Sequence, residues 1–133
     1  AIADVLWTPS RDADANLLAE GVAPERIECI GNIMIDSYEM MREAIEQDRT
    51  AATLGVAGAD YGVVTLHRPS NVDSAEKLGE LCEALSQVAE RLPLIFAVHP
   101  RTRKKLAEFG LESRLAAGSR IRLIEPLGYI QFM

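Results

Sequence analysis

YGVVTL (Tyr61–Leu66) runs directly into His67-Arg68-Pro69-Ser70-Asn71, and LIFAV (Leu94–Val98) runs directly into His99-Pro100-Arg101-Thr102. Each apolar run has the composition of a buried strand, and each is stopped by a proline that holds the residue before it extended. Between them lies a helical pattern, expected from Asp73 with Glu76 as its capping-box partner. Its apolar residues are Leu78, Leu81, Cys82, Leu85, Val88 and Ala89, and Pro93 ends it. A strand, a helix and a second strand of these lengths make a parallel βαβ unit, with both strands ending on one edge. Ligands of such sheets bind beyond the carboxyl ends of the strands. Both histidines of the chain therefore fall where a ligand site is expected.

The same alternation extends outward. Thr102 to Phe109 reads as a short helix stopped by Gly110, and Ile121–Glu125 as a further strand leading to Pro126-Leu127. Toward the N-terminus, Val5–Thr8 reads as a strand and Ser10 as the cap of a helix carrying Ala13, Leu17 and Leu18, which Gly21 ends. Arg26–Ile30 alternates as a strand. Asp36 with Glu39 predicts a helix to about Asp48, with a stripe of Tyr38, Met41 and Ile45 and with Met34 and Met40 as gap-filling core. Thr50–Asp60, small and weakly periodic, reads as a linker. The fold class is α/β with Rossmann-like parallel sheets. Residues 1–35 are expected to close one domain, 36–60 to connect, and 61–133 to form the first half of a second.

With 133 residues, of which 48% are hydrophobic, the chain has material for a real core. Fourteen basic against 20 acidic residues leave a net charge of −6, which offers no overall attraction for nucleic acid or an anionic membrane. No apolar run spans a bilayer and the N-terminus lacks the pattern of a signal peptide, so a cytoplasmic location is the default expectation. The two cysteines, Cys29 and Cys82, are neither closely spaced nor in a metal-ligand pattern, and both read as reduced core residues. No metal site is expected. The absence of an initiator methionine and the abrupt stop after a helix-like start at Gly128–Met133 give the look of a piece of a longer chain.

Three strand ends are thus expected along one edge: His67 to Asn71, His99 to Thr102, and Glu125 to Leu127. An imidazole exchanges protons near neutral pH, and Arg68 beside it offers a forked donor for phosphate oxygens. That pairing suits the departure of a phosphate leaving group. Arg101, Arg103, Lys104 and Lys105 crowd a helix start, where an anion would reconcile them with the macrodipole, although a solvated basic face is the commoner explanation of such a cluster. Arg101, nearest the strand end, is the first candidate. There is no glycine-rich phosphate loop and no nucleophile elbow. The residues alone point to a phosphate-bearing ligand in a cleft and leave the reaction open.

In order, DVLWTPS, NLLAEGV, IECIGNIMID, VVTLHRPSNVD, LIFAVHPRT and LIEPLGYIQF resemble the UDP-N-acetylglucosamine 2-epimerase family, and together these segments cover almost the whole chain. The resemblance implies two Rossmann-like domains facing across a cleft, as in glycosyltransferase-B proteins, with this chain spanning their junction. It implies epimerisation of UDP-GlcNAc at C2 to UDP-ManNAc by elimination and re-addition of UDP, or, in a related branch, hydrolysis to free ManNAc. It implies no metal or nicotinamide cofactor, a UDP-sugar as the small-molecule partner and a homo-oligomeric parent enzyme. By the same resemblance His67 acts at the departing UDP. Arg68 and His99 match positions facing the nucleotide-sugar cleft, and Phe132, with the backbone around Leu127, lies by the uracil; Asn71 and Arg101, on the same strand ends, are taken as further substrate-binding candidates.

Two departures limit the carry-over. Ser70 stands where many members have glutamate, and VHPRT replaces the V-H-x-x-P of members that bind a second, activating UDP-GlcNAc. Allosteric activation is therefore not carried over. The family's proton-transfer carboxylates are expected upstream of Ala1 and its diphosphate-holding serine-glycine-glycine loop downstream of Met133, so these 133 residues alone are expected to be inactive. A glycosyltransferase of the same architecture and a non-catalytic nucleotide-binding module are the competing readings.

Overall fold

The computed structural model describes residues 3–116 and 120–133. The chain divides into two compact units, residues 1–47 and 48–133. In the first, β1 (Leu6–Thr8) and β2 (Ile27–Cys29) pair in parallel through α1 (Arg11–Ala19), with Leu6 opposite Ile27. The Ser10 hydroxyl caps α1 by accepting from the Ala13 amide at 3.4 Å. Gly21, at φ +84°, ends it, and the Val22 amide reaches back to the Leu17 carbonyl at 3.0 Å. Pro24–Arg26 form a single 3₁₀ turn before β2.

Helix α2 spans Ile33–Gln47, starting four residues earlier than the Asp36–Glu39 capping pair predicts. The reason is Asn32, whose side-chain oxygen accepts from the Met34 amide at 3.0 Å and opens the helix itself. Asp36 then lies within the first turn, and Glu39 pairs with Arg42 at 2.7 Å. The expected core methionines are not core: Met34 is 63% and Met40 80% exposed. Cys29 is exposed as well, whereas Cys82 is buried as expected. Burial pushes the Cys82 thiol pKa up, which keeps it protonated.

The second unit carries the core. Short α3 (Thr50–Thr53) falls within the stretch expected to be linker. Three parallel strands follow in the order β3 (Gly62–Val64), β4 (Leu94–Ala97), β5 (Ile121–Ile124). Between β3 and β4 lie α4 (Pro69–Val72) and α5 (Ala75–Ala89). Between β4 and β5 lie α6 (Pro100–Glu108) and α7 (Glu112–Ala116), and α8 (Tyr129–Phe132) follows β5. Central β4 is buried at every position, so its sequence reads as an unbroken apolar run. Leu94, Phe96 and Val98 join Leu78, Cys82 and Ala89 of α5, Leu106 of α6, and Leu111, Leu115 and Ile121 in one cluster.

Edge strand β3 corrects the expectation of a buried strand. It is shorter than Tyr61–Leu66 and Val63 is 54% exposed, with the burial alternating as on a one-sided edge. Gly62 leaves room there for the Leu94 side chain, whose Cδ2 lies 2.6 Å from where a Cβ would stand and would have to shift. Helix α5 starts at Ala75 rather than Asp73, because Ser74 takes the cap and accepts from the Lys77 amide at 3.3 Å. Helix α6 starts at Pro100, two residues before Thr102, since a proline at the first helical position has no amide to satisfy. Gly110, at φ +66°, closes it, with the Leu111 amide on the Leu106 carbonyl at 2.8 Å.

Candidate active site

The parallel register fixes where the three strands end. Val64 lies opposite Phe96, and Phe96 opposite Leu123, so His67, His99 and Glu125 leave the sheet on one edge. The two histidine rings come together with centroids 6.4 Å apart, tilted by 50°. Both histidines are exposed. Arg68 follows His67 as the extended residue before Pro69, and Asn71 sits half-buried in α4. Beyond β5, Leu127 is half-buried and Phe132, in α8, is 41% exposed.

His99 is held by its own helix. It is the N-cap residue of α6, and its Nδ1 accepts from the Arg101 amide at 3.2 Å. A neutral imidazole accepting at Nδ1 carries its proton on Nε2, so this cap also selects a tautomer. His67 has no such helical duty, since it precedes Arg68, the residue at the start of α4.

The three residues after Pro100 tie the edge together. The Arg101 guanidinium grips Asp73 through both carboxylate oxygens, Nε to Oδ1 at 2.9 Å and Nη2 to Oδ2 at 2.5 Å. The Thr102 hydroxyl, fully buried, donates to the Leu66 carbonyl at the end of the β3 segment. Arg103 bonds Glu125 at 2.9 Å and Glu112 at 3.3 Å, and its Nη2 reaches the Ile124 carbonyl at 3.5 Å. Lys105 pairs with Glu108 at 3.0 Å and lies over the Phe109 ring.

Three of the four basic side chains of this cluster thus have acidic partners, as on a solvated basic face. Arg101, the first candidate within it, already has a bidentate carboxylate, and Arg103 and Lys105 have acidic partners too. Hydrogen bonding from Arg101 holds the Asp73 carboxyl below its ordinary range, and the same contact raises the Arg101 pKa. Sequence reasoning misses Asp73 as part of this edge, and places Thr102 there without its bond to the Leu66 carbonyl. Both were read as helix starts, and only the fact that each stands a few residues from a strand-end histidine hinted at more. Among the described residues no group of three or more His, Cys, Asp or Glu is placed to hold a metal ion. No helix among them is long and apolar enough to cross a membrane.

Comparison with known proteins adds to this geometry. The sequence model of the family described as UDP-N-acetylglucosamine 2-epimerase matches residues 1–133. UDP-N-acetylglucosamine 2-epimerase of Methanocaldococcus jannaschii is 35% identical over 99% of this chain, which covers 37% of that protein. UDP-2,3-diacetamido-2,3-dideoxy-D-glucuronate 2-epimerase of Pseudomonas aeruginosa is 30% identical, with 99% of this chain covering 35% of it. Among solved structures, M. jannaschii UDP-GlcNAc 2-epimerase in complex with UDP-GlcNAc and UDP superposes with a TM-score of 0.88. The identity is again 35%, over 98% of this chain and 37% of that one. The chain thus spans somewhat more than a third of the length of these relatives.

Proposed function

The chain belongs to the UDP-N-acetylglucosamine 2-epimerase family, and from that premise we propose that it is part of an enzyme that converts UDP-GlcNAc to UDP-ManNAc. The observation that carries the reading is the meeting of His67 and His99 at 6.4 Å on the carboxyl edge of a parallel sheet. In this reading residues 1–35 close the first Rossmann-like domain, 36–60 connect, and 61–133 begin the second.

The reaction is an elimination followed by re-addition. A base of the complete enzyme takes the C2 proton, and the C2–H pair forms the C1–C2 double bond. The C1–O bond to UDP breaks, and UDP departs with the C1–O pair. Negative charge grows on the departing phosphate oxygen, and His67 meets it with a proton while Arg68 offers forked donors beside it. His99, with Nδ1 engaged by the α6 amide, presents Nε2–H as a donor to the nucleotide. Asn71 adds an amide on the same edge, and Phe132, with the backbone around Leu127, lies beside the uracil. Return of a proton to C2 on the opposite face of the glycal, with UDP re-bonding at C1, gives the C2 epimer. Where water adds in place of UDP, the products are ManNAc and UDP, and the same His67 step serves both outcomes.

Arg101 is left out of the phosphate contacts because Asp73 already takes its fork. The Pseudomonas relative is named for a different UDP-sugar, and this reading concerns the UDP side of the ligand alone. The test is incubation of the full-length protein with UDP-GlcNAc alone in D₂O. UDP-ManNAc, or ManNAc plus UDP, carrying deuterium at C2 is the expected product. Failure to react without an added sugar acceptor would overturn the proposal in favour of a transferase.

A further inference from the structure

Three consecutive side chains at the start of α6 each hold a different segment of the candidate site. Arg101 holds Asp73, at the end of α4 and six residues beyond His67. Thr102 holds the carbonyl of Leu66, the residue whose peptide bond carries His67. Arg103 holds the Ile124 carbonyl and the Glu125 carboxylate, just before Pro126-Leu127. His99, two residues before this triplet, is fixed to the same helix by its cap. Helix α6 therefore joins all three strand ends, through side chains and not through the sheet, which stops at Val64, Ala97 and Ile124.

We propose that Arg101-Thr102-Arg103 is a positioning triplet that sets the separation of His67 and His99, with Thr102 as its central member. The inference rests on the functional reading above and adds to it residues that touch no substrate. Thr102 carries the argument furthest because it is fully buried, and a buried hydroxyl is stable there only while its hydrogen bond is made. Its partner lies one peptide from the His67 Cα, so loss of the bond frees the backbone on which the imidazole rides. The Asp73–Arg101 fork acts on the other side of the same loop. It restrains α4 with two parallel bonds where a single contact would let the segment pivot.

Positioning predicts a distinctive pattern of loss. Misplacement of a proton donor by a fraction of an ångström lowers the chemical step while leaving ground-state binding largely intact. The experiment compares Thr102→Val, Thr102→Ser and Asp73→Asn in the full-length protein. It reads kcat and KM for UDP-GlcNAc together with the NMR resonances of the His67 and His99 ring protons in the absence of substrate.

Thr102→Val and Asp73→Asn are expected to lower kcat about tenfold with KM changed less than about threefold, and to move the His67 resonances. Thr102→Ser, which keeps the hydroxyl, is expected to restore both. Folded variants with wild-type kcat and unmoved His67 resonances would overturn the proposal. So would a Thr102→Val protein that fails to fold beside an Asp73→Asn protein that is unchanged, because Thr102 would then be structural only. The ring resonances report geometry independently of turnover, so a wild-type protein inert toward UDP-GlcNAc would refute the functional reading and leave the positioning claim to be judged on the resonances.

Discussion

At the scale of single residues, the Asp73–Arg101 pair shows how charge is used on this edge. Asp73 is held below its ordinary range by hydrogen bonds from Arg101, so its folded-state pKa lies under its unfolded value. The contribution of such a group is present above the unfolded pKa and is lost as pH falls through the folded one. Chemical denaturation as pH is lowered through the carboxylate range should therefore show a loss of stability in the wild type that is smaller in Arg101→Gln. Equal pH dependence in the two proteins would mean that the pair makes no difference in solution. Both partners are partly exposed, and the effect is expected to be screened by salt. His99 makes a second residue-level prediction. Its cap bond to the Arg101 amide is replaceable by a hydroxyl, so His99→Ala should cost about 1 kcal/mol of stability and His99→Ser much less, measured by urea unfolding.

Among the elements, β4 and α6 matter most, and they differ in how far sequence disclosed them. The run Leu94–Val98 is apolar throughout because both faces of the central strand are covered, and a strand of that kind is legible from composition alone. Phe96 is fully buried at its centre, and Phe96→Ala should destabilise the protein by about 3–5 kcal/mol, read from the shift in denaturation midpoint. Helix α6 is legible as a helix but not in its start, since the sequence points to Thr102 as its first residue whereas His99 caps it and Pro100 opens it. The bonds of Arg101, Thr102 and Arg103 were not legible at all. Apart from Arg103–Glu112, nine positions apart, each joins residues 21 to 36 positions apart, and no local pattern encodes such a partner. Helix α2 failed for a different reason. Its methionines are spaced as a core stripe would be, yet the described residues leave them exposed, because periodicity marks a face that wants a partner and not the partner itself.

For the whole molecule, the two units are unequal. Every buried apolar residue among those described lies in residues 48–133, while the first unit exposes Trp7, Ile33, Met34, Ile35 and Met40. Native-state hydrogen exchange on these 133 residues should find the β4 amides strongly protected and those of α2 weakly so. Comparable protection in the two would show that the first unit is stabilised in a way its burial does not suggest. The strand-end histidines and their shared edge were readable from sequence because parallel topology dictates them. The family, too, was readable from motif order. The central claim is that His67 gives the departing UDP its proton, and it is tested most directly by the kcat of His67→Asn in the full-length protein. A fall of about 10²- to 10⁴-fold, with the fold intact and KM little changed, is the predicted result; near-normal kcat in a folded His67→Asn protein would contradict it.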